Sequence, residues 1–276
     1  MKQNFLPIDN IKPTVRDRLN EVTKEKSLSA NTVFHFTESL DNLISILKNN
    51  FYPHFCLEDA LHLFIKDNSH IEFAIPMVCF CDIPLSDILH HADIYGKYAI
   101  GLSKKWAIKN KVNPVLYTYP KSAISDTISE HLSILYNPRP NSKKLKSVLP
   151  LLQFIKPYEG DLWKNGKKIK KGVRFYDERE WRYVPSLEQL GTMWMGKNDY
   201  FDKDKRNKMN HLFVIDKKYN LTFNANDIKY IIVRNADEIL ETLDQINKLK
   251  RRNFSNEDVK LLSTKIISMV NIVDDF

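Results

Sequence analysis

The residues best placed by type and spacing to do chemistry lie in Tyr176-Asp177-Glu178-Arg179-Glu180-Trp181-Arg182-Tyr183-Val184. Side chains alternate along a strand, so Glu178, Glu180 and Arg182 fall on one side and Arg179, Trp181 and Tyr183 on the other. A row of carboxylates beside a guanidinium, opposite an aromatic face, is costly to bury unless every charge finds a partner. The row is therefore either a catalytic wall or a set of cross-strand salt bridges. Glu180 is the first catalytic candidate and Glu178 the second. Glu180 directly precedes Trp181-Arg182, where the aromatic can anchor the strand and the arginine can keep the carboxylate ionised.

Two other polar clusters stand among apolar neighbours. In Phe34-His35-Phe36-Thr37 the histidine and threonine share one strand face, giving a polar site at a strand end or a core-edge histidine bonded to a carbonyl. In His90-His91-Ala92-Asp93-Ile94-Tyr95-Gly96-Lys97-Tyr98, Gly96 is informative because the chain has only 7 glycines. It predicts a positive φ or a close backbone approach, with a surface turn as the plain alternative. Cys79 and Cys81 share a strand face and could join Cys56 with His54 or His62. Cys-x-Cys is not zinc-knuckle spacing, however, so small buried strand residues explain the cysteines and no metal is expected. The chain carries no Walker loop, GxGxxG, HExxH or GxSxG, which disfavours a P-loop, a Rossmann site, a zincin and a hydrolase elbow.

The elements that must position these groups can be read from periodicity. Thr32 to Phe36 reads as a short strand, followed by Leu40, Leu43, Ile44 and Leu47 at helical spacing, with Thr37 or Ser39 as cap. A first helix is expected within Val15 to Lys26. Ala74 to Asp82 reads as a buried strand, Leu85 to Ala92 as a short helix, and Tyr98 to Leu102 as a strand leading into a helix capped by Ser103. Val115 to Tyr119 is a strand. Ser122 to Leu135 and Lys143 to Ile155 are helical and flank Asn137-Pro138-Arg139-Pro140, a helical insertion around residues 122–156. Arg174 to Tyr176, Trp181 to Val184, Leu212 to Ile215 and Ile228 to Val233 have strand character. A helix is expected over Asp237 to Lys250 and another from Asn256, with the tail Ile266 to Val273 returning as a strand. The expectation is a single α+β domain over residues 1–276, with a central, largely antiparallel mixed sheet flanked by helices.

Composition bounds the class. With 276 residues, 43% hydrophobic and 28% charged, the chain can hold a core without disulfides, and disorder and collagen are excluded. Three cysteines suit a reducing compartment, and MKQNFLPIDNIKP has no apolar signal region, so a cytoplasmic protein without a membrane span is expected. A net charge of +8 would suit a polyanion. Usage rich in Lys, Asn and Ile explains much of that charge as solvated lysine.

At the same residues the chain resembles a known family. Val33-Phe34-His35-Phe36-Thr37 with Leu40, Leu43 and Ile46-Leu47, then Val78-Cys79-Phe80-Cys81-Asp82-Ile83-Pro84, His91, Tyr95 to Ser103, Asn113-Pro114-Val115 and Glu178 to Pro185 are similar to AbiGi-type abortive-infection proteins of bacterial antiphage loci. The resemblance covers most of the chain. It implies an antitoxin in a two-gene system and hence a cognate partner protein from the same locus. A more distant similarity, in the order of parts, is to ADP-ribosyltransferases, and it implies an ADP-ribosyltransferase-like fold. By that resemblance His35 and Thr37 hold parts of NAD, Tyr95 or Tyr98 packs on nicotinamide, and Glu180 grips the ribose 2′-hydroxyl. Arg182, Arg179 or Lys97 could take the pyrophosphate. NAD as co-substrate would suit the carboxylates, since leaving nicotinamide builds positive charge on the sugar. A defence transferase is thus the first expectation, with His35, Tyr95 and Glu180 lining one pocket. A non-enzymatic antitoxin is the second. A nucleic-acid binder using Lys164 to Lys171, Lys203 to Lys208 and Lys248 to Arg252 is the third.

Overall fold

A computed structural model describes residues 30–59, 72–132, 150–164, 167–186, 194–250 and 253–275. The helix expected within Val15 to Lys26 and most of that expected over Lys143 to Ile155 lie outside them. In chain order the elements are β1 (Thr32–Thr37), α1 (Leu40–Asn49), β2 (His54–Asp59), β3 (Glu72–Cys81), α2 (Ile88–Tyr95), β4 (Tyr98–Ser103), α3 (Lys104–Lys109), β5 (Asn113–Pro114) and β6 (Leu116–Thr118). Then follow α4 (Ala123–Leu132), β7 (Ile155–Pro157), β8 (Glu159–Lys164), β9 (Lys167–Arg174), β10 (Glu180–Tyr183), β11 (Met195–Gly196), α5 (Lys197–Phe201) and α6 (Lys203–Ile215). The last are β12 (Ile228–Val233), α7 (Glu238–Lys248), α8 (Asn256–Ser263), β13 (Ile266–Ser268) and α9 (Met269–Asp275).

The main sheet runs β13-β12-β4-β1-β3-β10-β5, with β2 and β11 also paired to β3. Its pairings are antiparallel except β12 with β13. Local chemistry sets the elements. Ser39 stops β1 and caps α1, its hydroxyl accepting from the Asn42 N–H. The stripe of α1 then buries Leu43 and Leu47 against the sheet, each worth about 1.5–3 kcal/mol of apolar transfer. Ser103 repeats the device for α3.

Antiparallel partners point to the same side, so the register assigns faces. Phe34 pairs with Cys81, Cys81 with Glu180, and Cys79 with Arg182, which puts these five on one face. Val33, His35, Phe80 and Trp181 belong to the other. On the second face lie α1, α7 and α8, through Leu43, Leu47, Ile246, Val259 and Leu262. On the first lie α2 and α9, through Ile88, Ala92, Met269 and Ile272.

β3 carries the feature that matters for function. On one side β10 and β11 pair along it. On the other, β1 pairs at Phe34 with Cys81 and then departs, while β2 takes over from Met77 down to Glu72. Val78 to Phe80 therefore border a split between β1 and β2.

Three sequence expectations need correction. Leu212 to Ile215 is the last turn of α6, not a strand: Asp202 caps that helix, and burial of Phe213 against Phe55 and Tyr219 decides the end. Only Arg174 of Arg174 to Tyr176 is extended, because residues Phe175–Glu178 turn as a 3₁₀ helix. The tail gives a three-residue parallel strand and then α9, since the Ser268 hydroxyl accepts from the Asn271 N–H and turns the chain. No described helix is long and apolar enough to cross a membrane.

Candidate functional site

The split opens into a cavity of about 1150 Å³ that touches both faces of the sheet. His35 sits in the split itself. Its Nδ1 lies 2.8 Å from the Cys79 carbonyl oxygen, an oxygen that only an N–H can serve, so Nε2 is left as the acceptor. Its ring meets Phe51 and Phe80 edge-on at 5.1 and 5.7 Å. Burial lowers its pKa to about 4, outweighing the bond to Cys79, and the ring is neutral at physiological pH.

On the far side of the split lies a buried polar chain. Glu178 and Glu180 are 7% and 5% exposed and Arg182 is 0% exposed. Lys156 bridges the two acids, its Nζ donating to Glu178 Oε2 at 2.6 Å and to Glu180 Oε2 at 2.7 Å. Tyr95 donates to Glu178 Oε1 at 2.6 Å. Arg182 donates from Nε to Glu180 Oε1 at 2.6 Å, from Nη2 to Glu58 Oε2 at 2.9 Å, and from Nη1 to the Gln153 carbonyl at 3.1 Å. The Glu180 N–H donates to the Tyr117 hydroxyl at 2.8 Å, which fixes the strand end.

The charges follow from this geometry. Burial works to raise the Glu180 pKa, but Arg182 and Lys156 together hold it well below the ordinary carboxylate range. Lys156 is held far above its ordinary value by Glu178 and Glu180 against the pull of burial. Glu58 goes the other way: burial raises its pKa in spite of Arg182. Three carboxylates, Glu58, Glu178 and Glu180, thus share two cations, Lys156 and Arg182. His91 stands over this end, 4.5 Å from the Tyr95 ring and 5.0 Å from Phe36. Burial and then Lys156 lower its pKa to about 4.

Gly96 explains how Tyr95 reaches the site. Its φ is +116°, and a Cβ there would lie 2.1 Å from the Thr37 carbonyl oxygen. The turn after α2 is pressed against the end of β1, and no other residue allows that approach.

His35, Thr37, Tyr95, Glu178 and Glu180 all line the cavity. His35 and Glu180 nevertheless leave the sheet on opposite faces, and they share the space only through the split. Tyr98 does not belong to the site. It packs in the core with Ile100 and Leu102 and donates to Glu238 Oε1 at 2.7 Å, with its pKa pushed up to about 12 by burial and that bond. The parity of β4 puts Tyr98 with the core residues. Arg182 is also removed from the ligand-binding set: its guanidinium lies behind the wall, occupied by Glu180, Glu58 and Gln153, and it positions the acids. Lys97 is an exposed partner of Asp93, and neither it nor Arg179 lines the cavity. Besides Lys156, Arg206 of α6 lines it, as do Asn210 of α6 and Asn42, Ser45 and Asn49 of α1. Lys156, Glu58, Tyr117 and Arg206 had no motif to mark them.

Residues 49–234 match the family described as "abortive phage resistance protein AbiGi, antitoxin". Over 245 residues the chain is 30% identical to the "Abortive phage resistance protein AbiGi" of Lactococcus lactis subsp. cremoris, covering 82% of this chain and 97% of that protein. The chain belongs to the AbiGi family. No solved structure matches it. The matched span of this AbiGi member begins at the last residue of α1 and ends after β12, so it takes in the carboxylate wall and the β2 and β3 side of the split but not β1 with His35 and Thr37.

Proposed function

We propose that this AbiGi-family chain is an abortive-infection defence protein whose cavity takes NAD as a substrate and passes its ADP-ribose portion to a macromolecular target. The observation that carries the reading is the anionic wall of Glu178 and Glu180 on a cavity large enough for a dinucleotide and divided into two ends by the split. The end beneath His91 and Tyr95 suits a flat cationic ring. The end beside Arg206, Asn42, Ser45 and Asn49 suits phosphate and sugar hydroxyls. In the reaction the bond from nicotinamide nitrogen to ribose carbon breaks, and its electron pair leaves with nicotinamide. An acceptor lone pair then bonds that carbon and the acceptor gives up its proton. Positive charge grows on the sugar meanwhile, and an ionised Glu180 is preorganised to stabilise it.

The test is to titrate the purified protein with NAD and to assay free nicotinamide. Saturable binding and turnover are expected, with Glu180→Gln reducing the rate by about 10²–10³ while folding is retained. The variant leaves Glu58 and Glu178 against Arg182 and Lys156, so each buried cation keeps an anion. Wild-type protein that neither binds NAD nor releases nicotinamide refutes the reading. A second reading, a non-enzymatic antitoxin with a cognate partner protein, is favoured by the description of the matching family. It expects Glu180→Gln to keep full protection in cells, whereas the transferase reading expects protection to be lost.

A further inference from the structure

We propose that the exposed tyrosine ladder beside the cavity, with the basic hairpin β8–β9, is a docking surface for single-stranded nucleic acid. Tyr119 stacks on Tyr158 with ring centroids 4.4 Å apart and planes at 25°. Tyr158 stacks on Tyr176 at 5.4 Å and 21°, and Tyr176 meets Tyr117 edge-on at 5.4 Å. Tyr119 and Tyr176 are 48% and 50% exposed, so the ladder is not a core feature. The rings already cover one another's facing sides, so a nucleobase of any sequence can extend the stack at its exposed Tyr119 end, provided the base is not already paired.

Charge lies alongside. Residues 159–177 hold six Lys or Arg against Glu159, Asp161 and Asp177. Among them Lys168, Lys170, Lys171 and Arg174 are exposed on β9. Arg174 is paired across the hairpin to Glu159, next to Tyr158, and precedes Tyr176 by two residues. Aromatic planes flanked by a basic ribbon suit a flexible phosphate strand better than a rigid duplex, whose bases cannot reach the rings.

The ladder also leads inward. Its inner member, Tyr117, accepts the Glu180 N–H at 2.8 Å, and Glu159, Gly160 and Asp161 of β8 line the cavity. A strand seated here is at the mouth of the carboxylate end. Its service as the acceptor rests on the transferase reading above, while its binding does not.

The experiment is fluorescence anisotropy of the full chain with labelled single-stranded DNA and RNA of mixed sequence, without NAD, across a salt series. Single strands are expected to bind more tightly than the matching duplex, with affinity falling as salt rises. Tyr119→Ala with Tyr176→Ala should weaken binding at least ten-fold, and Tyr119→Phe with Tyr176→Phe should restore it, which separates stacking from misfolding. Lys170→Gln with Lys171→Gln should flatten the salt slope. Equal binding of duplex and single strand, or unchanged affinity in the alanine pair, overturns the proposal. So does competition by polyglutamate as strong as that by oligonucleotide, which would indicate an acidic protein surface instead. Because NAD is absent, failure here leaves the transferase reading standing, and failure of that reading leaves this one standing.

Discussion

The two neutral histidines at the cavity should make the fold acid-sensitive, by an amount that can be worked out. His35 and His91 each have a pKa lowered from 6.5 to about 4, chiefly by burial. In the unfolded chain both return to about 6.5. Between these values the unfolded chain binds more protons than the folded one, so stability is full above about pH 7 and falls as the pH drops toward 4. At pH 5 the linkage amounts to about 2 kcal/mol per histidine, or about 4 kcal/mol for the pair. That is a large part of the roughly 5–15 kcal/mol that holds a typical domain together.

Urea unfolding followed by tryptophan fluorescence, at about pH 8 and about pH 5, measures this. Two carboxylates of the wall also contribute to the pH dependence. Glu58, with its raised pKa, favours the folded state as it takes up a proton, whereas Glu180 works against folding as the pH falls below the ordinary carboxylate range. The informative quantity is therefore the difference between wild type and a variant that removes one histidine. His35→Asn keeps a donor toward the Cys79 carbonyl, and His91→Gln keeps a polar group above Tyr95. Each should shrink the stability lost between pH 8 and pH 5 by about 2 kcal/mol, whatever its effect at a single pH. Parallel pH curves for wild type and both variants would refute the claim that these partly buried rings are neutral.

Arg182→Met should destabilise the fold by about 3–5 kcal/mol in urea titration, because Glu58 and Glu180 lose their shared cation inside the protein. Gly96→Ala should cost about 1–3 kcal/mol, since its Cβ meets the Thr37 carbonyl and its φ is positive; a neutral result would mean that the end of β1 yields easily. Ser255→Ala breaks the capping box with Asp258 and should remove about 1 kcal/mol while leaving NAD binding unchanged, so it serves as a control remote from the cavity.

What the sequence discloses is what depends on near neighbours. The alternation of Thr32 to Thr37, the apolar stripe of Leu40 to Leu47 and the runs at Tyr98 to Leu102 and Ile228 to Val233 are local patterns, and they form as read. Gly96 was legible because glycine is scarce and its backbone demand is local. Leu212 to Ile215 misled because its β-branched run ends a helix begun ten residues earlier at the Asp202 cap, where the body is polar and gives little periodic signal. Lys156 had no signal at all. It lies on the three-residue β7, and its place between two acids depends on the pairing of β7 with β6. Glu58 meets Arg182 only because β2 replaces β1 along β3. The split, on which the cavity depends, is a property of three strands together, and no single segment encodes it.

The buried chain Glu58, Arg182, Glu180, Lys156 and Glu178 bears on the choice between enzyme and binding partner. A protein acting only through its outer surface gains little from such a chain, since apolar residues of similar volume usually serve a fold as well or better than a buried ion network. Keeping three acids and two bases there is understandable if Glu180 must stay ionised, out of water, against a cavity. Lys156 then has a definite part: it holds both acids in the resting state, and a ligand hydroxyl that reaches Glu180 Oε2 must share that oxygen with it. Lys156→Met separates the two readings, because it leaves Glu178 and Glu180 facing one another across the cavity wall. Under the enzyme reading, NAD titration should show altered binding and nicotinamide release even at a temperature where circular dichroism shows the variant fully folded. Under the partner reading the variant should lose only stability, and protection in cells should follow the amount of folded protein.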